Sequence, residues 1–457
     1  NTEAMDGLDA VLPRLGVKWY LTESTTLRGG VGLFSGGQPN VWVTNSYTNN
    51  GMTFVQAPKS VRDQVLTNTA NVDFNNVPQF VKDSLKPGGF TNYTDPNFKL
   101  PTDLRYQLAA DFNFEIPYLG DDFNSTLDAT LIQRRDPAVW LDTSRVPSGK
   151  KAADGRIIYK SIYSGDLKDN YDIMLTNGDE SETTRILSAS LAKTWETGIR
   201  MTTSYTNQDS EEANPGTSSR AVSNYGNNPV LDRNVNIIAP AVNETKHRLV
   251  LNLGYSTEFF SGYATKFDLF FERKSGRPLS YVLDSNRDFA FGDQTDLGSN
   301  DVYLPYIPTS AADPVMKFGN GKTGYTYEQI MEVFRTVGLD KYAGGHAPKN
   351  AFYQPWTTTM DLNVQQEIPG FSPEHKGTLY FTVLNLANLL DKDSGQVHRM
   401  RFPQQPLMQF SVDSTTGQYT YEPLSSSSTL LQNARNWSEF YPSASVWRIK
   451  VGVNYRF

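Results

Sequence analysis

The sequence predicts an all-β fold, a transmembrane antiparallel β-barrel with long extracellular loops, of which about eleven strands lie in these 457 residues. Three observations predict it. Apolar and polar residues alternate strictly in stretch after stretch, the mark of strands with one apolar face. The connections between those stretches alternate short and long, as in outer-membrane barrels, which have short periplasmic turns and long outer loops. No run of 18 or more apolar residues occurs, so any membrane crossing is made by strands.

The strands follow in order. Leu15, Val17, Trp19 and Leu21 alternate with Gly16, Lys18 and Tyr20, and Thr25–Phe34 continues after the short connection TEST. Leu104, Tyr106, Leu108, Ala110, Phe112 and Phe114 alternate with Arg105, Gln107, Asp111 and Asn113. Asn124–Asp136, Thr184–Trp195 and Ile199–Asn207 fit next. Leu249, Leu251, Leu253 and Tyr255 mark one strand, and Phe267, Leu269 and Phe271, interleaved with Lys266, Asp268 and Glu272, mark another. Met360, Leu362 and Val364 alternate with Asp361, Asn363 and Gln365, and a strand is expected over Gly377–Asn388. Each stretch is near the ~9–11 residues that cross a bilayer at a tilt. Long connections run over about 37–100, 146–182, 208–245, 285–354 and 395–444, more than a compact soluble domain holds.

The last stretch, SVWRIKVGVNYRF, is the clearest. Trp447, Ile449, Val451, Val453, Tyr455 and Phe457 form one uncharged face; Arg448, Lys450, Gly452, Asn454 and Arg456 form the other. Lipid against the first face and a lumen against the second accounts for the pattern, since Arg or Lys facing lipid at mid-bilayer costs roughly 2–4 kcal/mol. The same reasoning makes Arg105, Asp111, Lys266, Asp268, Asp361, Asn363, Arg448 and Lys450 candidates for the lumen. Alternation also suits sandwiches, propellers and β-helices; the lack of a fixed repeat argues against a propeller or solenoid, and a sandwich stays open. If the last strand descends toward the periplasm, eleven strands place the start of the chain outside. Together with the lack of a signal peptide in NTEAMDGLDAVLPRLG, this leads us to expect a processed protein or a piece of a longer one, with further barrel upstream.

Composition narrows the role. Aromatic residues reach 12%, there is no cysteine, and the net charge is −7, against a general part in nucleic-acid binding. No enzyme motif sits in its required setting. His247, His346, His375 and His398 lack metal-protease spacing, and no metal or cofactor is expected. LLDKDSG places Asp391, Asp393 and Gly395 in an oxygen-rich turn that lacks the distal Glu of a calcium loop and reads as a strand-ending turn. The glycines of LRGGVGLFSGG lie in a strand, where they allow close packing or bending. One loop helix is predicted in TYEQIMEVFRTVGLDKY, with a capping box from Thr326 to Gln329 and a C-cap at Gly338. It orders its loop or contacts cargo. The aromatic, amide-rich stretches NVWVTNSYTNNG, GGFTNYTD and RNWSEFY suit loops that cover one another, or stacking on sugars or peptides.

Pro13–Gly51 and Asp95–Pro117, with LRGGVGLFSG the most specific segment, resemble the barrel of TonB-dependent outer-membrane receptors. VLNLANLLDKD resembles the penultimate-strand motif of that family and VGVNYRF its terminal strand. TKHRLVLNLGYS and NAFYQPWTTTMDLNV also fit, and the similarity is strongest to the Oar-like branch, whose members carry a carboxypeptidase-regulatory-like domain. The resemblance implies a barrel of twenty-two strands around an N-terminal plug, so that residues 1–457 would be its C-terminal half. It implies energised movement of a bulky ligand (siderophore, oligosaccharide, peptide or protein) in the bacterial outer membrane. Implied partners are outer-membrane lipid, the remaining barrel and plug, TonB, and the barrel-assembly machinery, which would read Phe457 with Tyr455 and Val453. The rival expectations are an outer-membrane anchor that holds a partner protein, a passive porin, and a soluble all-β adhesin.

Overall fold

The computed structural model describes residues 10–36, 39–48, 59–67, 76–84, 90–164, 170–284, 291–292, 301–321, 324–372, 374–399, 404–424 and 439–457. One antiparallel sheet organises the chain. Its strands are β1 (Arg14–Tyr20), β2 (Thr25–Ser35), β3 (Thr102–Ile116), β4 (Gly120–Arg135), β5 (Glu182–Thr194), β6 (Ile199–Glu212), β7 (His247–Phe260), β8 (Tyr263–Lys274), β9 (Thr357–Pro369), β10 (Lys376–Leu384) and β11 (Arg448–Arg456). They pair in chain order, a meander, with Ala239–Pro240 added beside β6. β1 pairs with β2 and β11 with β10, so each of these two lies at an edge of the sheet.

Because the sheet is a meander, all short turns fall at one end and all long connections at the other. Gly198 shows what a short turn demands: its φ of 87° is left-handed, and a side chain there would strike the Ser256 carbonyl. Register propagates one facing across the sheet. Trp19 sits opposite Leu27, Leu27 opposite Ala110, Leu253 opposite Leu269, Leu269 opposite Leu362, and Val451 opposite Phe381. The face so defined is apolar along its middle. Its charges lie near strand ends, with Arg135, Arg185, Asp209, Glu211 and Arg273 toward the long loops and Asp121 and Lys193 toward the short turns.

That apolar face is bare. Leu108, Leu187 and Val451 are 65%, 58% and 73% exposed. A patch of this extent is far beyond what a soluble monomer leaves to water. The buried core lies instead among the long loops, where two small sheets form a crown. In one, Pro278–Asp284 pairs in parallel with Gln404–Val412, flanked by Asp301–Tyr303 and Tyr419–Glu422. Leu279, Val302, Ile307, Phe334, Leu407 and Tyr421 are buried there. In the other, Thr91–Thr94, Asp172–Asn177 and Ala138–Asp142 pack around Trp140, Tyr171 and Ile173.

Two expectations need correction. The strand foreseen over Gly377–Asn388 ends at Leu384. Asn385 is left-handed, with φ 57°, and opens a short helix, Leu386–Leu390. The single loop helix becomes several among the described residues, including Pro39–Thr48, Lys59–Thr67 and Ala221–Gly226. PNVWVTNSYT carries four β-branched residues, Val41, Val43, Thr44 and Thr48, and no apolar stripe, so periodicity could not announce it. The foreseen helix, Tyr327–Val337, has its capping box from Thr326 to Gln329 and Gly338 in the left-handed cap. It buries Ile330, Val333 and Phe334 in the crown, so it orders its loop.

Candidate functional site

The site is the polar face of the sheet and the underside of the crown. Cross-strand register puts all eight residues singled out from the sequence on this one face. Asp268 lies opposite Asn363 and Lys266 opposite Gln365, while Thr382 bridges Asn363 to Lys450. Arg105 and Asp111 share the face with Gln107 and Arg28. Arg448 shares it with Lys450, two residues on.

Their partners divide them. Asp111 takes a bidentate bond from Arg28 at 2.7 and 2.9 Å and another from the Thr126 hydroxyl at 2.9 Å. Arg105 pairs with Asp103 at 3.1 Å, and Arg200 with Asp268 at 3.0 Å. Asp361 accepts the Asn385 N–H at 2.7 Å, tying the end of β10 to β9, and Asn363 accepts the Thr382 hydroxyl. Lys266, Arg448 and Lys450 make no ion pair or hydrogen bond with a described residue. Apart from Lys266, the central-strand charges named here are paired within the sheet, while the edge strand β11 carries Arg448 and Lys450 without an ion pair to a described residue. Near the other edge, Gly30 and Gly32 leave no side chain beside β1, and the Phe34 ring lies between Arg14 and Arg105, at 4.2 and 4.7 Å.

The polar face is hollow. Asp268, Asp361 and Asn363 gather with Arg200 and Asn252 around a cavity of about 500 Å³. A larger cavity, about 1350 Å³, lies between the loop ends of β6–β9 and the crown. Ion pairs gather at the loop ends of β3–β5. Arg134 pairs with Asp103 at 2.8 Å and Glu182 at 3.4 Å, and Glu182 also accepts the Ala213 N–H. Lys349, in the loop after β8, donates to the Ala213 carbonyl at 2.8 Å and so clamps the crown to the ends of β5 and β6. Sequence alone could not have singled out Lys349, because its setting is made by segments over a hundred residues away.

Burial pushes the Lys349 amine down to about 8, against the pull of Glu212 and Glu182. An opened crown returns it to its ordinary value of 10.5. Between these values the open state binds more protons than the closed one, so closure strengthens as pH rises through the window and is insensitive to this group below it. The full effect is about 3 kcal/mol, at 1.36 kcal/mol per unit. Protease cleavage near Ala347–Asn350 is expected to be slower at pH 9.5 than at pH 7.5, relative to a free peptide of that sequence. A flat ratio would mean that the amine is solvated.

The histidines stay separate. His247 meets the Tyr205 hydroxyl at 2.8 Å, His375 that of Tyr455 at 3.0 Å, and His398 lies by Gln396. His346 sits in the crown between Asp154 and Arg156. Burial would raise the Asp154 carboxyl, but the bonds from His346 and Arg156 outweigh it and hold the carboxyl well below the usual range. No group of three metal-binding side chains occurs among the described residues. Asp391 accepts from the Ser394 hydroxyl and the Asp393 N–H, closing a turn that follows the short helix Leu386–Leu390 and not, as expected, a strand. The crown aromatics cover one another: Trp42 meets Trp140 edge-on and Phe90 stacks on Tyr171. Most of RNWSEFY, with Asn49–Gly51, Gly88 and Gly89, lies outside the described residues.

A bare apolar belt, a hollow polar face and loops gathered at one end define a membrane β-barrel segment. The chain belongs to the outer membrane beta barrel domain family, whose model matches residues 6–427. It resides in the outer membrane. No curated protein sequence matches it. Among solved structures it is similar to the outer membrane transporter YddB from Escherichia coli, with 10% identity and a TM-score of 0.45 over 99% of this chain and 42% of that one. A mutant of the ferric enterobactin receptor PfeA from Pseudomonas aeruginosa aligns at 10% identity, TM-score 0.39, over 90% of this chain and 38% of its own. The siderophore receptor PirA from Acinetobacter baumannii aligns at 13% identity, TM-score 0.37, over 90% and 39%. The chain thus spans less than half the length of each.

Proposed function

We propose that residues 1–457 are the C-terminal part of a TonB-dependent receptor barrel of the Oar-like branch, which moves a bulky ligand across the outer membrane. The observation that carries this reading is the hollow polar face capped by an ordered crown, set against a bare apolar one. A sheet with edges in lipid leaves backbone groups unpaired, each costing several kcal/mol. Further strands beside β1 and β11 remove that cost. The cations at the edges agree: among the described residues, Arg14 and Lys18 on β1 lie over aromatic rings and form no ion pair, Lys18 feeling Asp111 only at longer range, and Arg448 and Lys450 on β11 form no ion pair. Carboxylates of a plug or of added strands would satisfy them, and the polar face would then line the lumen. TonB would supply the energy through the plug.

Uptake tests this reading. Accumulation of the ligand by intact cells is expected to stop when the proton-motive force is collapsed. Free diffusion of small sugars through the intact protein in liposome swelling would instead establish a porin. The terminal aromatic gives a second expected result. Phe457 is 91% exposed and, among the described residues, its ring meets that of Tyr455 at a tilt, so its loss removes little packing. Deleting it should lower the amount of protein in the outer membrane several-fold through the assembly machinery, and leave inserted copies active. Normal amounts by quantitative blotting would remove the assembly role.

A further inference from the structure

The large cavity under the crown has a chemistry of its own. Its wall is the polar face of β6–β9 near the loop ends, and segments of three loops, after β6, β8 and β10, close over it. Thr206 and Gln208 present side chains from the wall, and Asn227 and Asn243 from the loops; none of these bonds another described side chain. Asn228, also in the lining, is 5% exposed, and its Oδ1 accepts no hydrogen bond from a described residue. Such an acceptor inside a protein calls for a donor. The apolar side chains in the lining, among them Pro215, Val242, Pro355 and Val397, are interspersed with amides, hydroxyls and cations, a mixed surface of the kind a sugar presents on its own faces.

Charge narrows the ligand further. No carboxylate is among the described residues that line the cavity. Arg248 and Lys274 do, and both lean on one carboxylate, Glu272, at 2.7 and 2.8 Å. Arg277 lines it with no carboxylate partner among the described residues. Three cations against one anion leave the walls positive. The volume, about 1350 Å³, exceeds the ~300–1,000 Å³ typical of sites for drug-sized molecules, so an oligomer fits.

We infer that this cavity binds an acidic oligosaccharide, with amides and hydroxyls on the sugar hydroxyls and Arg277 on a carboxylate of the ligand. The inference rests on the receptor reading above and gives it a ligand class. An Arg–carboxylate contact is bidentate and directional, so it reports the acid, whereas the amides report the hydroxyls.

The test is calorimetric titration of the intact, full-length receptor in detergent with tetragalacturonate, maltotetraose and tetraglutamate. Tetragalacturonate is expected to bind at least tenfold tighter than the other two. Arg277→Gln should weaken it tenfold or more and erase its advantage over maltotetraose. Asn243→Ala should weaken both sugars alike. Equal binding of the two sugars, tighter binding of tetraglutamate, no binding at all, or an unaffected Arg277→Gln protein would each overturn the assignment. Arg277 is at the surface, and unchanged heat-modifiability of the variant shows that the barrel is intact. Uptake separates the two claims. Tetragalacturonate that binds but is never accumulated by energised cells sinks the transport reading alone. Accumulation of a different ligand without binding of this one sinks the ligand class alone.

Discussion

Val451→Arg is expected to remove most of the assembled, heat-modifiable barrel from the outer membrane, while Lys450→Gln leaves its amount nearly unchanged. The two residues are neighbours, and only facing separates them. Val451 lies opposite Phe381 on the apolar face and Lys450 opposite Thr382 on the polar one. Val451 sits mid-strand, where an arginine facing lipid costs roughly 2–4 kcal/mol. The strand cannot escape by slipping one residue, because that would turn Arg448, Lys450 and Arg456 toward lipid together. Gel mobility with and without heating reads the result. A normal Val451→Arg band beside a depleted Lys450→Gln band would mean that the facing is reversed.

The second large effect lies in the crown. Phe334 is wholly buried against Tyr421, and the crown core around it holds no part of the membrane belt. Phe334→Ala should cost about 3–5 kcal/mol, the range for large-to-small changes in a packed core. A small structure of this kind has little stability to spare. Protease cleavage within residues 301–353 is therefore expected to rise at least tenfold, with barrel heat-modifiability unchanged. Loss of both together would show crown and barrel to be one cooperative unit.

These two regions also mark how far the sequence could be read. The strands of the main sheet were legible because each has one face in a different solvent from the other, which writes a period of two into Trp19–Lys18 or Val451–Lys450. The eight polar-face residues followed from the same period, and register brought them together. The crown strands hide for the opposite reason. Pro278–Leu283 is buried throughout, so both its faces want apolar or neutral side chains and no alternation survives. Asn385 ended a strand early through a backbone conformation that periodicity does not record. The cavity wall was only half legible. Thr206 falls in the strand expected over Ile199–Asn207, but Gln208 was expected in the following loop and lies on the strand, which runs to Glu212, and Asn243 and Arg277 reach them through loop packing, which spacing along the chain does not encode.

The parallel pairing of Pro278–Asp284 with Gln404–Val412 bears on how such receptors can diversify. A surface loop that folds by itself can be exchanged between relatives as a cassette, altering recognition while the rest is left alone. Here the loops after β8 and β10 build one sheet between them. A graft of the first alone would strand Gln404–Val412 without its neighbour, and a graft of the second alone would uncover Leu279 and Val282. Recognition on this side of the crown would have to be inherited as a pair of segments some 120 residues apart, as the Ser280–Gln404 pairing spans them. Chimeras that move both loops should display a folded crown, and chimeras that move either one should not.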